Sequence, residues 1–93
     1  MVKHLIVFTL KPDADKNAVI AAAEQALLPL VGKIPGLTKM EVKPCFSGPD
    51  FVLYSELTDR EALKGYADHP LHIKAKSHFF PWVENRVAAD YEI

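Results

Sequence analysis

Cysteine occurs once in this 93-residue chain, at Cys45. A lone thiol excludes an intrachain disulfide and suits a reducing compartment. With nothing nearby in sequence to lower its pKa, Cys45 reads as a small buried residue at a strand end. Glycine is also sparse, four in all, and none gathers into a phosphate-cradling loop, which argues against nucleotide use. Neither charge sign prevails: 11 Lys+Arg face 12 Asp+Glu for a formal net charge of −1. No basic cluster stands out, so nucleic acid is not an expected partner. Apolar runs are short. The patch in MVKHLIVFTLK has a histidine in front, lacks a small-residue cleavage site and is too brief for a secretory leader. No stretch is long enough to span a membrane. The expectation is a cytoplasmic protein with no membrane partner.

Apolar residues, by contrast, are abundant, at 49% with 10% aromatic. The length allows one domain, residues 1–93. A chain this short buries roughly two-thirds or less of its unfolded surface. Apolar richness without length points to a second copy covering what one chain cannot.

Val2 to Lys11 is β-branched and apolar on both faces, with Val2, His4, Ile6, Phe8 and Leu10 on one side. It reads as a central strand. Pro12 ends it, and Asp13 or Asp15 can cap a helix on which Val19, Ala23, Ala26, Leu27 and Leu30 form an apolar stripe. Pro29 should disturb the last turn, and Gly32 with Ile34–Gly36 should stop it. Leu37 to Pro44 reads as an edge strand and Phe51 to Leu57 as a second central one. TDRE at Thr58–Glu61 has the form of a capping box with Thr58 as N-cap. Pro70 should open a new helical piece running toward Pro81, and Asn85 to Ile93 reads as a last strand.

The order β-α-β-β-α-β predicts a ferredoxin-like α+β fold, a four-stranded antiparallel sheet with helices on one face. Its first and third strands are central, and those are the two that are apolar on both faces. The uncovered face predicts a homodimer, sheet against sheet, with a barrel-like interior.

VKHLIVF at Val2–Phe8, KIPG at Lys33–Gly36, DREAL at Asp59–Leu63, YADHPLH at Tyr66–His72 and DYE at Asp90–Glu92 follow in order across nearly the whole chain. Together they resemble the stress-responsive dimeric α/β-barrel (Dabb) family, whose fold is the one just derived. Many members are known only as stress-associated. The best-understood type is a plant polyketide cyclase, which closes a linear poly-β-keto thioester into an aromatic acid without a cofactor. By that resemblance, its first-strand histidine matches His4, and the tyrosine and final histidine of its YxxHPxH segment match Tyr66 and His72. Its pocket tyrosine on the first helix falls at Leu27, which has no hydroxyl, so the pocket differs there.

The implied chemistry is proton transfer. A neutral His72 imidazole can take a proton from a carbon between two carbonyls. Tyr66 can donate a hydrogen bond to the oxygen that becomes an enolate, and His4 can orient His72 or touch the substrate. Each also has a purely structural alternative: Tyr66 as core with its hydroxyl reaching the surface, His4 as a satisfied core histidine, His72 as a helix residue. His69 reads chiefly as a cap for the piece starting at Pro70, with ligand contact as the alternative. His78 reads as a solvated helix residue. Phe79, Phe80 and Trp82 pack between helix and sheet, or one of them, Trp82 included, lines a cavity entrance together with Phe8. His69 and His72 lack a third ligand, so no metal is specified.

Three functions remain open on these grounds. One is a dimer binding a small apolar or aromatic ligand. Another is a cofactor-free cyclase, lyase or isomerase with His72 as general base. The third is a cofactor-independent monooxygenase, which rests on architecture alone.

Overall fold

Strict alternation defines the first strand, β1 (Val2–Leu10): Val2, His4, Ile6, Phe8 and Leu10 are buried and the residues between them half-buried. Successive strand side chains leave on opposite faces, so the chain itself covers one face of β1 and only part of the other. The computed structural model describes residues 1–93. After β1 come α1 (Lys16–Leu27), β2 (Leu37–Pro44), β3 (Phe51–Leu57), α2 (Arg60–Asp68), α3 (Pro70–Lys76) and β4 (Val83–Glu92), with 3-10 turns at Leu28–Leu30 and Phe80–Trp82. The strands lie in the order β2-β3-β1-β4, and every neighbouring pair is antiparallel. This is the expected ferredoxin-like arrangement, with β1 and β3 central.

Local chemistry sets the boundaries. The Asp15 carboxylate accepts from the Ala18 amide and starts α1. Pro29 cannot donate to a helical ladder, so the chain tightens there into a 3-10 turn. Val19, Ala23, Leu27 and Leu30 bury the stripe that lies on the sheet. Under it, Phe8 and Phe51 stack with centroids 4.6 Å apart, and the Phe79 ring stands edge-on to both. Such aromatic pairs contribute about 0.5–1.5 kcal/mol each beyond the area they bury.

Three expectations are corrected. Asp59, not Thr58, caps α2: its carboxylate accepts from the Ala62 amide at 2.7 Å. Thr58 is occupied elsewhere, its amide donating to the Gly36 carbonyl at 2.9 Å. Cys45 is half-buried rather than buried, because it sits just past the end of β2. β4 also begins two residues earlier than Asn85, at Val83.

The opposite sheet face is open. Register places Leu5 beside Tyr54 and Ala89, and Val7 beside Val52 and Val87, all on that side. Val87 and Tyr91 are more than half exposed. At its edge the Lys3 ammonium donates to the Tyr54 hydroxyl at 2.7 Å and the Glu56 carboxylate at 3.0 Å. β4 extends past the helices, so even its helix-side residues Arg86 and Asp90 are exposed at the rim.

Gly36 shows where the KIPG turn meets α2. Its φ is +82°, and a Cβ there would stand 2.4 Å from Ala62 Cβ. Gly48 has a similar φ of +84° but open space around it. Gly36→Ala therefore combines left-handed strain of about 1–2 kcal/mol with overpacking of about 1–3 kcal/mol, whereas Gly48→Ala carries the strain alone. Urea unfolding at one protein concentration should show the Gly36 variant less stable than the Gly48 variant by at least about 1 kcal/mol. Equal losses would mean the turn does not press on α2.

Candidate functional site

The YADHPLH joint is built around a proline. Pro70 disfavours helical backbone at the residue before it, and His69 accordingly turns extended (φ −67°, ψ 134°), ending α2. Pro70 then occupies the first turn of α3, where its missing amide costs nothing. The His69 ring accepts from the Leu71 amide through Nδ1 at 3.1 Å and so caps the new helix. In this way the break brings the last turn of α2 and the first turn of α3 side by side. Tyr66 and His72 meet with ring centroids 4.1 Å apart and planes tilted by 31°.

His72 is oriented by the same joint. The Ala67 carbonyl can only accept, so His72 Nδ1 must donate to it, across 3.3 Å. In the neutral ring the lone pair is then on Nε2. Burial first of all holds the His72 pKa below the usual imidazole value; the Ala67 bond opposes this, while Lys76, His4 and Arg86 add to the lowering. His72 is thus neutral at physiological pH.

Tyr66 is 1% exposed, and its hydroxyl is buried with no hydrogen-bond partner. This corrects the reading that the hydroxyl reaches the surface. Burial raises its pKa well above the ordinary phenol value, so the group stays protonated and available as a donor. An unpaired buried hydroxyl costs about 1–3 kcal/mol.

His4 comes from β1, beneath Tyr66, with ring centroids 6.2 Å apart in an edge-on arrangement. Directly across on β4 is Asp90, whose carboxylate makes a short contact with His4 Nδ1. That bond fixes the Nδ1 proton and leaves Nε2 to face other partners. On the other side of His4, Ser55 of β3 is fully buried and its hydroxyl also lacks a partner. A polar row therefore crosses a sheet face that is otherwise apolar.

A cavity of about 130 Å³ brings His4, Tyr66 and His72 together, with Phe8, Phe79 and Leu53 as apolar wall and Phe80, Lys76 and Arg86 among the remaining lining residues. Of the sequence candidates, His4, Phe8, Tyr66 and His72 line it. Three others do not. Leu27 is wholly buried between α1 and the sheet, His69 caps α3 on a separate surface groove, and Trp82 is 43% exposed on its 3-10 turn. Of the aromatic run before β4, Phe79 and Phe80 line the cavity instead.

Asp90, Lys76 and Arg86 were not among the expected site residues. Lys76 is one helical turn beyond His72, a spacing visible in sequence. Arg86 and Asp90 need the β1–β4 register, which pairs them with Phe8 and His4. No group of three or more His, Cys, Asp or Glu side chains is arranged to hold a metal ion. No helix is long and apolar enough to cross a membrane.

Comparison with known proteins places this geometry in context. An uncharacterized protein of Streptomyces coelicolor is 34% identical over 101 residues, covering 99% of each chain. A dimeric protein of unknown function with a ferredoxin-like fold, from Bacteroides fragilis, is 32% identical with a TM-score of 0.89, over 99% of this chain and 95% of that one. An antibiotic biosynthesis monooxygenase superposes with a TM-score of 0.80 over 100% of this chain and 98% of its own, but at 16% identity it shares the fold alone. The sequence profile described as Stress Responsive A/B Barrel Domain (Dabb) matches residues 2–93. The chain belongs to the stress-responsive A/B barrel domain family.

Proposed function

We propose that two copies of the chain pair through their open sheet faces into a dimeric α/β barrel. In this reading each copy's His4–Tyr66–His72 cavity takes a small carbonyl compound and moves a proton on it without a cofactor. The observation that carries the reading is Tyr66: its hydroxyl is protonated, buried and without a partner, and its ring packs against that of a neutral, oriented histidine. A ligand carbonyl oxygen would supply the acceptor that the fold withholds.

The chemistry follows from the two protonation states. His72 Nε2 takes the proton from a carbon next to the carbonyl, the C–H bond breaks, and its electron pair moves into the enolate. The Tyr66 hydroxyl donates to the enolate oxygen as charge builds there. His4, held by Asp90, positions the ligand or the Tyr66 ring. Returning the proton elsewhere gives isomerisation, and attack of the enolate on a second carbonyl gives ring closure. The aromatic wall of Phe8 and Phe79 suits a flat apolar body.

Self-association rests on the apolar open face and on relatives described as dimeric. Sedimentation at micromolar concentration is expected to give a dimer, and Val7→Arg on the open face should yield folded monomer. A wild-type monomer would contradict this pairing.

Exchange of acetophenone methyl protons for deuterium, followed by NMR, tests the chemistry. The neutral form of His72 is the active one, so the rate should rise with pH, and its depressed pKa puts the midpoint of that rise below about pH 6.5, the ordinary imidazole value. His72→Ala should slow exchange by about 10²-fold or more, the usual range for a lost general base, while His69→Ala should leave it unchanged. Equal rates in both variants would remove His72 from the mechanism.

A further inference from the structure

The cavity lining contains two cationic side chains and no carboxylate. Lys76 comes from the end of α3 and Arg86 from the rim strand β4, where register sets it directly opposite Phe8. The chain's ion pairs join Lys3 to Glu56, His4 to Asp90, Lys16 to Asp50, Lys39 to Glu41 and Arg60 to Glu92; neither Lys76 nor Arg86 takes part. Lys76 is instead steered by a ring, its ammonium 4.9 Å from the Phe80 centroid, and both groups belong to the cavity lining. Of the acids flanking Arg86 on β4, Asp90 is engaged with His4, and Glu84, two residues before it, is exposed, makes no ion pair and lies outside the cavity lining.

Two unpaired cations at one cavity, beside a wall of aromatic rings, describe a receptor with a charged end and an apolar end. We propose that Lys76 and Arg86 are an anion-recognition pair and that the ligand of this cavity is a small carboxylic acid, its carboxylate held by the two cations and its apolar body against Phe8 and Phe79. Size agrees: a dry protein cavity of about 150 Å³ holds one benzene ring, and this one measures about 130 Å³ with an open mouth. The planar guanidinium of Arg86 matches a carboxylate in two-pronged fashion, and Lys76 adds a point charge. The proposal deepens the carbonyl-binding reading and rests on it. A carboxylate at the cations would place the carbon chain beside Tyr66 and His72, so a keto acid or an aromatic acid is the class selected.

The test compares benzoate with its neutral counterpart benzamide on the intact protein, by NMR shifts of the cavity residues in low salt. Benzoate should bind at least about tenfold more tightly, with the preference falling as salt rises. Lys76→Gln and Arg86→Gln should each reduce benzoate affinity severalfold and leave benzamide unchanged. Because Arg86 is on the rim strand, the Lys76 variant on α3 serves as the check that the loss is not an effect on pairing of chains. Equal affinities, or variants that keep the full preference, would overturn the anion site while leaving the cavity as a neutral-ligand pocket. If neither compound perturbs the cavity, the pocket reading falls and the anion site with it.

Discussion

The two-residue alternation of β1 governs the rest of the molecule. Because side chains leave a strand on alternate faces, His4 shares its face with Ile6 and Phe8 and must go under the helices. The same rule sends Leu5 and Val7 to the face that no element of the chain covers. A slip of one residue would exchange the two sets, exposing Phe8 and carrying His4 away from Tyr66. The candidate cavity and the candidate pairing surface are two sides of one strand.

Against that strand, the Pro70 break does the finer positioning. A continuous helix would place Tyr66 and His72 six residues apart, well over one and a half turns, on different faces. The extended backbone at His69 resets the direction and lets the rings meet. Burial then acts oppositely on the two groups. It disfavours the imidazolium of His72 and the phenolate of Tyr66, so a neutral base and a neutral acid sit in contact.

Much of this was legible in the sequence, for identifiable reasons. The β1 and β3 alternation, the Pro12, Pro29 and Pro70 interruptions and the Asp15 cap are local signals, and local signals gave the element order. His4, Tyr66, His72 and Phe8 emerged from short motifs and strand parity. What escaped depends on pairing between distant segments. Asp90 meets His4 only through the β1–β4 register, and Arg86 reaches the cavity by the same route. Trp82 looked like the natural aromatic at an entrance, but the Pro81 turn points Phe80 inward and leaves Trp82 exposed. Leu27 is absent from the cavity for a simpler reason: its side chain is wholly spent in the core beneath α1. The cap of α2 moved from Thr58 to Asp59 because the helix starts at Arg60, which puts the Asp59 carboxylate in reach of the Ala62 amide.

The most direct test of the account is the stability of Tyr66→Phe, measured by urea unfolding at a fixed protein concentration. If the hydroxyl is buried and unpaired, removing it leaves the ring packing intact and relieves a cost, so stability should stay within about 0.5 kcal/mol of the parent or rise. A loss of about 1–2 kcal/mol would mean that the hydroxyl already has a structural partner. It would then not be free for a ligand, and the reading of the cavity as a carbonyl site would be wrong.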